Sequence, residues 1–72
     1  MTIHPTAIIE DGCDIGSEVN IGANSYIGAK TQIGDNTVIH AQVVIDGNVK
    51  IGKGNTIFPG AVIGLAPQDK TY

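Results

Sequence analysis

The 72-residue chain has no tryptophan and no arginine, and it has one cysteine, one methionine and one phenylalanine. Four lysines stand against seven acidic residues, for a net charge of −3. A nucleic-acid surface needs clustered positive charge, so no nucleic-acid partner is expected. No apolar run approaches the ~20 residues that span a bilayer, so no membrane insertion is expected. The first residues lack the basic start and apolar core of a secretory signal. A lone cysteine, Cys13, forms no internal disulfide, and a cytoplasmic protein is expected.

What the chain has is a ladder. Isoleucine recurs every six residues from Ile3 through Ile9, Ile15, Ile21 and onward to Ile63, eleven times without a miss. A helical face needs spacings of three and four, and a half-buried strand alternates by two. A strict six suits short strands joined by corners, with the same residue type turned inward each time. That pattern predicts an all-β fold, a parallel β-helix of hexapeptide repeats with three hexads per coil. Residues 1–72 then form a single domain of about four coils, with no helical domain. So small a domain usually needs a partner or a staple.

Glycine follows the ladder residue at positions 16, 22, 28, 34, 52 and 64. Three residues after it stand Gly12, Asn24, Asn36, Asn48, Gly54 and Gly60. Both sets read as tight corners in which Gly and Asn tolerate positive φ. No glycine-rich loop opens a helix, so a phosphate cradle is not indicated.

Adding eighteen stacks one coil on the next. The residues two before each isoleucine face inward, in columns Ala7–Ser25–Val43–Ala61, Cys13–Thr31–Val49–Pro67 and Met1–Val19–Thr37–Asn55. Cys13 is therefore expected to be a buried small residue, not a nucleophile. The residues one before each isoleucine face out. Asp14, Gln32, Lys50 and Gln68 make a wet face, while Thr2, Asn20, Val38 and Thr56 make a mixed one. Ile8, Tyr26, Val44 and Val62 make an apolar stripe. One sticky face on a three-sided prism suits a closed homotrimer, with His40 and Phe58 on the adjoining corner. β-Propensity at exposed strand positions would favour the same residue types.

Candidate chemistry is sparse. His4 and His40 share one corner column but lie two coils apart, roughly 10 Å at ~4.8 Å per coil. They cannot share a zinc whose bonds to nitrogen are ~2.0–2.1 Å, and no metal or other cofactor is expected. Glu10 and Asp46 are likewise separated by Gly28, and read as solvated corners. No residue here is assigned a catalytic role. The ladder breaks at Asp69, whose carboxylate cannot take an isoleucine's place in an apolar interior. Either the backbone leaves the coil near Ala66 or Asp69 faces solvent, and a polar cap on an end coil would serve equally.

The opening Ile3-His4-Pro5-Thr6-Ala7-Ile8-Ile9 resembles that of the acyl-carrier-protein-dependent UDP-N-acetylglucosamine O-acyltransferases of lipid A biosynthesis. So does the run Asn55-Thr56-Ile57-Phe58-Pro59-Gly60-Ala61-Val62-Ile63-Gly64, followed by Pro67-Gln68-Asp69. The resemblance spans the whole chain and roughly the first quarter of that family's length. It implies a left-handed helix, although parallel crossovers are ordinarily right-handed. It implies a homotrimer with active sites between subunits, and sugar-nucleotide contacts from Gln68 and Asp69. Lys70 and Thr71 depart from the family's usual Leu-Lys, so its lysine contact does not carry over.

The resemblance also places the family's catalytic histidine, the base on the sugar 3-hydroxyl, in later coils; His40 is not in its motif. The family's helical domain and its basic residues for acyl carrier protein have no counterpart in these residues. The expectation is a trimeric, catalytically silent piece able to contact UDP-GlcNAc. The alternative is a minimal trimeric β-helix whose role is assembly, a natural module or an engineered scaffold, which the unbroken ladder also fits.

Overall fold

The structure, a computed structural model, describes residues 1–64. Eleven strands of two or three residues each follow one another at the hexad spacing: β1 (Thr2–Ile3), β2 (Ile8–Ile9), β3 (Asp14–Ile15), β4 (Asn20–Ile21), β5 (Tyr26–Ile27), β6 (Thr31–Ile33), β7 (Val38–Ile39), β8 (Val44–Ile45), β9 (Val49–Ile51), β10 (Thr56–Ile57) and β11 (Val62–Ile63). They sort into three parallel sheets, β1-β4-β7-β10, β2-β5-β8-β11 and β3-β6-β9. Ile3 pairs with Ile21, Ile9 with Ile27 and Ile15 with Ile33, so each coil advances eighteen residues, as the ladder requires. Among the described residues there are three complete coils and two strands of a fourth.

The interior is the middle of the ladder and its inward neighbours. Ile21, Ile27, Ile33, Ile39, Ile45 and Ile51 are buried together with Val19 and Val43. The ends of the inward columns depart from expectation. Met1 is 56% exposed because no coil lies beneath it. Asn55 is exposed as well, its amide nitrogen donating to the Gly52 carbonyl at 3.2 Å.

The corners work by two different rules, and only one was anticipated. Three residues after the ladder, Asn24, Asn36, Gly12, Gly54 and Gly60 have positive φ, but so do Glu18 (57°) and Gln42 (59°). At Asn36, Gln42, Gly54 and Gly60 a backbone bond accompanies it. The left-handed residue turns its N–H onto the coil below, as Asn36 does to Ser17 O (2.9 Å) and Gln42 to Ala23 O (2.8 Å). That bond offsets the conformational cost whatever the side chain. The glycine directly after the ladder takes a positive φ at Gly64 (83°) but serves otherwise at Gly22 and Gly34. At Gly22 and Gly34 φ is not positive. A Cβ at Gly22 would instead lie 2.7 Å from Ala41 N and from the His40 carbonyl carbon, and one at Gly34 2.7 Å from the Gly52 carbonyl carbon and Lys53 N. These glycines let the next coil approach.

Buried hydroxyls complete the corners. Several corners close on themselves, as where Ala7 N donates to His4 O at 2.9 Å. Above Ser25 and Thr37 the hydroxyl inserts into that closure. Ser25 Oγ donates to His40 O (2.9 Å) and accepts from Val43 N (3.2 Å). Thr37 Oγ1 donates to Gly52 O (2.9 Å) and accepts from Asn55 N (3.3 Å). Thr31 occupies the equivalent inward position, is 1% exposed, and its Oγ1 has no partner. An isosteric swap should therefore act with opposite sign at the two threonines. Thr31→Val is expected to raise stability by roughly 1–2 kcal/mol, and Thr37→Val to lower it by a similar amount. Urea unfolding of the two variants measures both.

Candidate functional site

Strand register assembles the apolar stripe. Ile8 sits opposite Tyr26, Tyr26 opposite Val44, and Val44 opposite Val62, along one sheet from first coil to fourth. Tyr26 and Val44 are half-buried in the middle, while Ile8 and Val62 are 57% and 60% exposed at the ends. His40 and Phe58 occupy the corner beside it, as the eighteen-residue stack requires. Their rings stack with centroids 6.0 Å apart and planes 9° apart. Phe58 is 69% exposed. Aromatic and aliphatic surface held in register on short strands is the kind of patch that a partner covers.

Glycine interrupts the two corner columns that flank this sheet. Between His4 and His40, Gly22 leaves a groove of about 430 Å³ floored by Ile3, Ile21 and Ile39. His4 is held at its rim, its Nδ1 2.9 Å from Thr6 Oγ1. On the other side, Glu10 and Asp46 line a groove of about 540 Å³ with Tyr26, Ala29, Lys30 and Gly47. Desolvation, followed by the negative charges of Glu10 and Asp46, pushes the Tyr26 phenol above its ordinary range. A Cβ at Gly28 would meet the Asp46 carboxylate, which reaches down over that glycine towards the coil below.

Cys13 is partly buried against the core, as a packing residue would be. Burial is the main cause of its raised thiol pKa, with smaller contributions from Asp11 and Asp14. It is therefore less reactive than an ordinary cysteine. Among the described residues no three His, Cys, Asp or Glu side chains come close enough to hold a metal ion. No helix among them is long and apolar enough to cross a membrane. The two residues assigned to the sugar nucleotide, Gln68 and Asp69, lie outside the described residues.

The comparison with family profiles bears on residues 30–65, which match the bacterial transferase hexapeptide family of six repeats. The chain belongs to this family. Among individual proteins, this hexapeptide chain is 66% identical over 70 residues to an acyl-[acyl-carrier-protein]–UDP-N-acetylglucosamine O-acyltransferase of Chlamydia muridarum, covering 97% of the chain and 25% of that protein. The similarly named protein of Chlamydia pneumoniae is 51% identical over 71 residues, covering 99% of the chain and 25% of its own length. The one from Verminephrobacter eiseniae is 63% identical over 70 residues, covering 97% and 27%.

A solved UDP-N-acetylglucosamine acyltransferase from Campylobacter jejuni superposes with a TM-score of 0.94 and 38% identity. That match covers 99% of this chain and 28% of the other. The hexapeptide chain thus spans about a quarter of the length of these relatives.

Proposed function

We propose that these coils form the first part of an acyltransferase that moves a 3-hydroxyacyl group from acyl carrier protein to UDP-N-acetylglucosamine, in lipid A biosynthesis in the cytoplasm. The observation that carries the reading is the extent of the likeness. Identity of 51–66% runs along nearly the whole chain to proteins named for that activity. In this reading the stripe of Ile8, Tyr26, Val44 and Val62, with His40 and Phe58 beside it, is covered in a homotrimer. Gln68 and Asp69 contact the sugar nucleotide, and the described coils contribute scaffold and interface. No described side chain is assigned the base that deprotonates the sugar hydroxyl, so these coils do not transfer acyl groups by themselves.

The test is binding. UDP-N-acetylglucosamine titrated into the chain by calorimetry is expected to bind, and Asp69→Ala is expected to weaken it at least ~10-fold, about the ~1.4 kcal/mol of one charge-assisted hydrogen bond. A folded trimer that binds no sugar nucleotide would favour the assembly-module reading instead. Acyl transfer by the 72-residue chain alone would contradict the division of labour proposed here.

A further inference from the structure

We propose that the corner Asp46–Gly47–Asn48 is a two-state element, and that the unpartnered Thr31 hydroxyl marks its second state. The regular corners set the comparison. There the residue three after the ladder takes a positive φ and donates its N–H to the coil below, as at Asn36 and Gln42. At this corner the positive φ falls one residue early, on Gly47 at 93°, and Asn48 has none. Three consequences follow together. Asn48 N makes no backbone bond to the coil below, where Lys30 likewise has no positive φ. Val49 N turns back onto Gly47 O at 2.9 Å. Thr31 Oγ1, deprived of the Val49 N–H, is left buried and without a partner.

Moving the positive φ from Gly47 to Asn48 would rebuild the pattern seen above Ser25 and Thr37. Val49 N would donate to Thr31 Oγ1, which would donate to Asp46 O. Asparagine tolerates a left-handed backbone, so residue 48 presents no barrier to the exchange. What opposes it is local. The present corner is held by Gly47 N donating to Asp46 Oδ1 at 2.8 Å and by the tight Val49–Gly47 bond. Each state satisfies groups that the other abandons, which is the condition for two populated conformers of one segment. The corner also lies directly under Gly64. A Cβ there would meet both Asp46 O and Val49 Cγ2, so a turn of the Asp46 carbonyl is felt at the residue that leads into Leu65–Tyr72. That reach is geometric and does not depend on the sugar-nucleotide reading.

Nitrogen-15 relaxation dispersion on the labelled chain tests the proposal. The amides of Gly47, Asn48, Val49 and Gly64 are expected to show exchange with one shared rate. Thr31→Val removes the hydroxyl that rewards the second state and is expected to flatten all four profiles; Thr31→Ala, which adds no bulk, should do the same. Asn48→Gly eases positive φ at residue 48 and is expected to raise the minor population at least ~2-fold. Flat profiles in the unmodified chain would overturn the proposal. So would exchange that persists unchanged in both Thr31 variants.

Discussion

Gly22→Ala is expected to destabilise the prism more than Gly54→Ala, although only Gly54 has a positive φ (68°). At Gly54 a Cβ meets nothing within 4 Å among the described residues, so alanine there bears the backbone cost, about 1–2 kcal/mol. At Gly22 the added carbon would lie 2.7 Å from two backbone atoms of the His40–Ala41 corner. Backbone cannot swing aside as a side-chain tip can. Relieving the contact means lifting one coil off another, through strands β4 and β7 and the Ser25 hydroxyl bridge. A loss of ~3 kcal/mol or more is expected, at or beyond the upper end for overpacking. With a slope near ~1 kcal/mol per molar urea, the midpoint falls by ~3 M at Gly22 and by ~1–2 M at Gly54. Equal shifts at the two sites would mean that φ governs both.

Val44→Lys is expected to convert a three-chain species to a single chain in sedimentation, without loss of the β signal in circular dichroism. Val44 is half-buried at the centre of the stripe, paired with Tyr26 on one side and Val62 on the other. A lysine there keeps its stem on the sheet and its charge in water as long as nothing covers it. Covered by a neighbour, the ammonium loses hydration at several kcal/mol per copy, and a closed trimer carries three copies. Gln32→Lys, on the wet face beside Lys50, is the control and should leave the mass unchanged. An unmodified chain that sediments as a folded monomer would remove the trimer from the proposed function.

The architecture was legible because one number governed it. A six-residue repeat of isoleucine fixes coil size, stacking register and the three faces, and the pairing of Ile3 with Ile21 is that arithmetic made physical. The corners were legible in position but not in cause. Glycine after the ladder reads as a φ requirement, which Gly64 meets, whereas Gly22 and Gly34 answer to a neighbouring coil that no local pattern displays. Glu18 and Gln42 gave no local sign of their left-handed backbone, since a bond to another coil holds Gln42 there.

Ser25, Thr31 and Thr37 read as small interior residues. Their role in corner closure depends on carbonyls fifteen residues away. The apolar stripe is visible as a column in the sequence, and strand register brings it together on one sheet. The handedness of the helix and the proposed assignment of Gln68 and Asp69 to the sugar nucleotide rest on the resemblance alone. Periodicity is blind to chirality, and Gln68 and Asp69 fall where the ladder has ended.

The constant step of eighteen residues between paired strands also bears on how the chain finds its shape. Every sheet contact closes a loop of the same size, whether it is made in the first coil or the last. Loop-closure entropy depends on that size and not on the total length. A longer prism of this kind therefore has no harder closures than a short one, unlike a β-sandwich, where distant strands must meet. Once one coil has formed, its upper edge offers the carbonyls and the apolar shelf that the next coil needs, and order can spread like a zipper along the axis.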